Sequence, residues 1–213
     1  MRLRKDLIAC AGSALAAGVA QGAHIGYWSS DSDFYIRISY MVDFDQRRGV
    51  DLPRLGLPND GKMYCVPTSA SDLMAYIDRH GFEGVPGVDG PGVLNWTDSG
   101  DLTAYNTATL YIQAMGNDMN TDPAHGTSNA NNQIENAVRN RLPQSLFDVN
   151  FYGATTTWAP KASDIASWMA QGAIVAFGYG RWDIGGADDT PLHRKSGHYV
   201  VMTKVDKRGF MNY

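Results

Sequence analysis

The stretch CVPTSASDLMAYIDRHG, residues 65 to 81, carries the apolar side chains Ala70, Leu73, Met74 and Ile77 at i, i+3, i+4 and i+7. That spacing marks one face of a helix over Pro67 to His80, with Gly81 as its stop. Cys65 therefore stands at or just before a helix N-terminus. Its thiol has four roles open to it: packing residue, disulfide half, metal ligand or nucleophile.

Upstream, residues 1 to 23 place Arg2, Arg4 and Lys5 ahead of an alanine-rich apolar run from Leu7 to Ala20, with small residues at Gly18-Val19-Ala20. This is the pattern of an export signal over residues 1 to 20, and the run is shorter than the ~20 apolar residues of a spanning helix. Leu7-Ile8-Ala9-Cys10 mimics a lipoprotein box, but only Leu7, Ile8 and Ala9 separate Asp6 from Cys10, too little for its apolar segment. Secretion removes Cys10 and leaves Cys65 as the one cysteine of the mature chain, in a compartment where thiols oxidise. A disulfide within the chain is then excluded. So is a zinc site built on cysteine pairs, because His24, His80, His125, His193 and His198 show no His-x3-His spacing. Cys65 is left as a buried passenger or a reactive group.

The 213 residues suffice for one domain with a proper core. With 44% apolar and 19% charged residues and a net charge of −4, the chain shows no lysine or arginine run that would address nucleic acid or an anionic membrane. Between the signal and Cys65, a β-prone piece at Phe34 to Met41 leads into a loop punctuated by Pro53, Gly56, Pro58 and Gly61. Downstream, helices are expected over about Leu102 to Met115 and Gln133 to Leu142, with a strand at Ser145 to Tyr152. The segment Asn117 to Asn132 lacks the spacing and closing glutamate of a calcium loop and reads as a solvated loop.

The last third has the clearest pattern. SDIASWMAQG, residues 163 to 172, reads as a helix with Ser163 as N-cap and Gly172 as stop, and AIVAFGYG, residues 173 to 180, as a strand buried on both faces. HYVVMTKV, residues 198 to 205, is a second strand, followed by a turn at Asp206-Lys207-Arg208-Gly209 and a returning strand from Phe210. Helices first and an antiparallel sheet afterwards give the class α+β.

A thiol at a helix N-terminus meets unpaired backbone N–H groups and the positive end of the helix dipole, which favour thiolate. His198, at the mouth of a strand, is the imidazole best placed to take its proton. The other histidines read as solvated. The tryptophans Trp96, Trp158, Trp168 and Trp182 read mainly as packing residues.

Three blocks, LPNDGKMYCVPTSASDLMAYIDRHG, DIASWMAQGAIVAFGYG and SGHYVVMTKVDKRGFMNY, resemble the signature blocks of the C39-like peptidases, which are papain-like cysteine peptidases. The resemblance covers Pro58 to His80 and Ser163 to Tyr213, and it makes residues 24 to 213 the peptidase domain. It implies a papain-like fold, Cys65 as nucleophile, His198 as general base, and Asn59 in the place of the family's oxyanion-hole glutamine. Asn59 departs from that glutamine, and Val66 from the usual glycine. A two-residue turn at Lys207-Arg208 would place the partner of His198 beyond Tyr213, so the orienting Asp or Asn is expected past the end of this sequence, and Asn212 would pair near Thr203. The expectation is a secreted or extracytoplasmic, monomeric cysteine peptidase acting on peptides or proteins, without metal, cofactor, nucleic acid or membrane partner beyond the export signal. Two alternatives stand beside it: an inactive domain serving as a binding module, and an amidase or transpeptidase of cell-wall peptides.

Overall fold

Helix α1 runs from Cys65 to Arg79 and is buried along its whole length from Val66 to Asp78 in the computed structural model. The structure describes residues 24–79, 101–128, 131–152, 160–182 and 194–207. Leu73, Met74 and Ile77 are fully enclosed as their spacing predicts, but so are Ala75 and Tyr76 on the other side. A helix enclosed on all sides is a central element. Pro67 in the first turn costs no hydrogen bond, because the amide it lacks would have been unpaired there.

Helix α2 (Leu102–Asp118) packs on α1, α3 (Gln133–Arg139) packs on α2, and the described strands form two antiparallel sheets. The first sheet has the order β1-β2-β5, from β1 (His24–Ser30), β2 (Asp33–Ile38) and β5 (Lys204–Lys207). The second pairs β3 (Val175–Trp182) with β4 (Arg194–Met202). In β2 the period of two is clean: Phe34, Ile36 and Ile38 are buried, and α4 (Ala162–Ala170) covers this sheet with Ile165, Ala166 and Met169. Helix α1 packs on β4 and β3 instead. The buried apolar side chains of both halves form one contiguous core, and the class is α+β.

Several local expectations are corrected. Ser145 to Tyr152 forms no strand: Phe147 and Val149 are buried, but their alternation has no ladder partner. The N-cap of α4 is Lys161, not Ser163, and the Asp164 side chain accepts from the Lys161 N–H at 2.8 Å. The run 173–180 is fully enclosed only at Ala173 to Ala176, and by Tyr179 the strand is 42% exposed. Among the described residues β3 has β4 as its one strand neighbour, so it is not central in a wide sheet. β1, absent from the sequence reading because its side chains carry no apolar alternation, is an edge strand with Ile25, Tyr27 and Trp28 exposed.

The strand expected over residues 198–205 breaks at Thr203, leaves the β3 pairing and continues as β5 against β2. Asp206 and Lys207 pair with Tyr35 and Phe34, so they are strand and not turn. The remainder of the expected turn, Arg208 and Gly209, and the returning strand from Phe210 lie outside the described residues. Asn212 itself lies outside the described residues, as do the export signal, His80, His193, Trp96 and Trp158.

Candidate functional site

Cys65 opens the first turn of α1, half-buried, and its sulfur lies next to β4: the backbone N–H of Tyr199 faces it, together with those of Val66 and Cys65 itself. These three donors lower the thiol pKa, as a helix N-terminus should. Burial acts against them and wins, pushing the Cys65 thiol up from its ordinary value. The direction is opposite to the one expected from its position on the helix alone.

His198 sits one residue before the Tyr199 amide that meets the sulfur, half-buried in the middle of β4, because the strand begins at Arg194 and not at the expected mouth beside His198. Its cross-strand partner is Tyr179, and the two rings meet edge to face at 5.8 Å between centroids. Opposed residues on one face of an antiparallel pair bring their side chains together in this way, so β3 constrains the imidazole.

Cys65 and His198 line one cavity of about 880 Å³. Its walls are the segment Met41–Gln46, the α1 face bearing Cys65, Thr68, Ser69 and Asp72, and β4 from His198 to Val201 with Thr203. The spacing 65, 68/69, 72 is one helical stripe, so the cavity follows α1 for two turns below the thiol. The Phe44 N–H donates to Asp72 Oδ1 at 2.7 Å and holds the segment against the helix. Arg48 anchors its far end: the buried guanidinium donates to the carbonyls of Asp45 and Tyr105 and to Thr109 Oγ1, and it lies 4.4 Å above the Tyr105 ring. Burial lowers the Arg48 pKa against the pull of Tyr105, Asp45 and Asp72.

Asp72 was missed by sequence reasoning. It is 5% exposed, and burial, reinforced by the charge of Asp43, pushes its carboxyl well above the ordinary carboxylate range against the Phe44 N–H and Arg48. The available signal was an acidic residue beside inward-facing Leu73, one helical stripe from Cys65.

Asn59 is brought to a different place. It has φ 51°, and its side-chain amide donates to the Pro123 carbonyl at 2.8 Å, away from the residues that line the cavity. Gln46 is a residue of the cavity lining, but its Nε2 donates to the carbonyls of Gly61 and Lys62 at 3.2 and 3.4 Å, which do not line the cavity. Gly61, at φ 72°, makes that approach possible, since a Cβ there would stand 1.7 Å from the Gln46 carbonyl oxygen. No periodicity in the loop before Cys65 could have singled Gln46 out.

Of the remaining histidines, His125 is exposed and paired with Asp122 at 3.1 Å. His24 is half-buried, with Nε2 bonded to the Ala173 carbonyl at 3.1 Å, so it is not the solvated residue expected. Trp168 stacks on Tyr152 at 5.5 Å against the core. Among the described residues no three His, Cys, Asp or Glu side chains converge as a metal ion requires, and no helix is long and apolar enough to cross a membrane. Comparison with protein-family models, curated proteins and solved structures finds no match.

Proposed function

We propose that the protein is an exported, papain-like cysteine peptidase of the C39-like type, with Cys65 as nucleophile and His198 as general base. The observation that carries this reading is the shared cavity: a thiol in the first turn of a buried helix and a strand-borne imidazole on the neighbouring wall. A thiol held above its ordinary pKa needs a base at the moment of attack. His198 takes the proton from Sγ as the sulfur–carbon bond forms to the peptide carbonyl. The C–N bond then breaks, and the amine leaves with the proton from the imidazolium. Water, deprotonated by His198, hydrolyses the thioester and restores the thiol.

The oxyanion that develops needs donors already in place. The N–H groups of Cys65, Val66 and Tyr199 gather at the sulfur and suit that role. Neither side-chain amide is turned to that task at rest, since Asn59 donates to Pro123 and Gln46 Nε2 donates to the carbonyls of Gly61 and Lys62, so the backbone N–H groups carry it. Tyr179 is a positioning residue that acts through the His198 ring.

The engagement of Asn59 outside the cavity favours the second reading, a domain that binds peptides without cleaving them. Incubation of the purified chain with a mixed peptide library, followed by mass spectrometry of new termini, separates the two. Cleavage by the wild type that disappears in Cys65→Ala supports the peptidase. Equal cleavage by Cys65→Ala, or none by either protein, refutes it.

A further inference from the structure

The cavity at Cys65 is lined by three carboxylates, Asp43, Asp45 and Asp72, and among the described residues by no lysine or arginine. Asp43 and Asp45 are exposed at its rim, while Asp72 lies along α1 below the thiol. Arg48 is buried behind the segment and donates to the carbonyls of Asp45 and Tyr105 and to Thr109 Oγ1, so it offsets only part of this charge. A second observation points to a guest. Thr68 lines the same stretch between Cys65 and Asp72, is 4% exposed, and its hydroxyl has no hydrogen-bond partner. An unpaired buried hydroxyl is costly, and an N–H donor from a ligand would satisfy it. The carboxylates do not converge on a point as a metal ion would require, which leaves an extended organic cation.

We propose that this cavity selects peptides carrying a lysine or arginine within one or two residues of the bond presented to Cys65, with the cation received by Asp43, Asp45 and Asp72. The assignment rests on the peptidase reading for the position of the scissile bond. Asp72 follows Cys65 by two helical turns, about 10 Å along the axis. One residue of extended chain covers ~3.5 Å of that, and the long stem of lysine or arginine covers the rest. The apolar stem then lies along the half-buried wall of β4, and the head group reaches the acidic floor. Burial raises the Asp72 carboxyl pKa, and an arriving cation works against that shift by favouring the ionised form.

Matched fluorogenic peptides test this, with arginine or its uncharged isostere citrulline scanned through the positions flanking the cleavable bond. At one position arginine should raise kcat/KM about tenfold over citrulline, the scale of one partly screened charge pair. The ratio should fall toward one in an Asp43→Asn/Asp45→Asn double variant, whose changes lie at the exposed rim. Binding of the same peptides to Cys65→Ala protein, read by fluorescence anisotropy, should show the same preference without turnover. Equal cleavage and equal binding of the two peptides overturns the cation site. Selective binding without Cys65-dependent cleavage sinks the peptidase reading and leaves the cation site standing; Cys65-dependent cleavage indifferent to charge does the reverse.

Discussion

Replacing Asp72 by asparagine should flatten the pH dependence of stability. The native carboxyl titrates well above its ordinary value of 3.8 because it is buried. Between those two values the native protein keeps a proton that the unfolded chain has released. Unfolding then releases that proton, so wild-type stability declines as pH rises through the window. The slope reaches about 1.4 kcal/mol per pH unit where the difference is one full proton. For a domain of this size that amounts to roughly 3–6 °C in Tm per pH unit. The amide in Asp72→Asn cannot ionise, yet its oxygen can still accept the Phe44 N–H that Asp72 accepts at 2.7 Å. Chemical denaturation followed by circular dichroism, stepped from about pH 4 to pH 8 for both proteins, gives the difference directly. The variant should gain on the wild type as pH rises. A difference that stays constant across the range would mean that Asp72 titrates normally in the native protein, and the electrostatics assigned to the cavity floor would be wrong.

Gly61→Ala should cost about 1–3 kcal/mol through its left-handed backbone alone. It should cost more through the Cβ driven against the Gln46 carbonyl, and an unchanged urea midpoint would contradict the close approach seen there. Tyr179→Leu removes an edge contact worth about 0.5–1.5 kcal/mol to the His198 ring. It should lower kcat by roughly two- to tenfold with KM little changed, whereas a loss confined to KM would place Tyr179 in substrate binding.

Legibility in the sequence followed periodicity. The 65–81 stretch announced α1 because Leu73, Met74 and Ile77 had to face a core, and β2 announced itself through Phe34 to Ile38. What failed lacked a period or had a misleading one. β1 is exposed on nearly every residue. Residues 145–152 bury Phe147 and Val149 in alternation but join no strand ladder. The break at Thr203 was invisible because HYVVMTKV is equally β-prone on both sides, while the sheet that each half joins is decided by tertiary packing. At the site, Cys65 and His198 could be picked from the local setting of each. The resemblance implied Asn59, but its left-handed backbone turns its amide toward Pro123. Gln46 reaches the cavity only through the folded path of the 41–46 segment, which spacing from Cys65 does not encode, whereas Asp72 lies on the same helical stripe as Cys65 and only its depth was hidden. Burial likewise reversed the thiol's expected shift, since the helix end is visible in the sequence but the depth of the sulfur is not.

The central claim is that Cys65 forms a covalent acyl intermediate with His198 as its base. Mixing the protein with a peptide ester, quenching in acid and mapping the modified residue by mass spectrometry tests it at the reacting atom. Wild type should carry the acyl group on Cys65, and His198→Ala should acquire it about 10²–10⁴ times more slowly, the usual worth of general-base catalysis. An unmodified Cys65, or acylation at the same rate without His198, would contradict it.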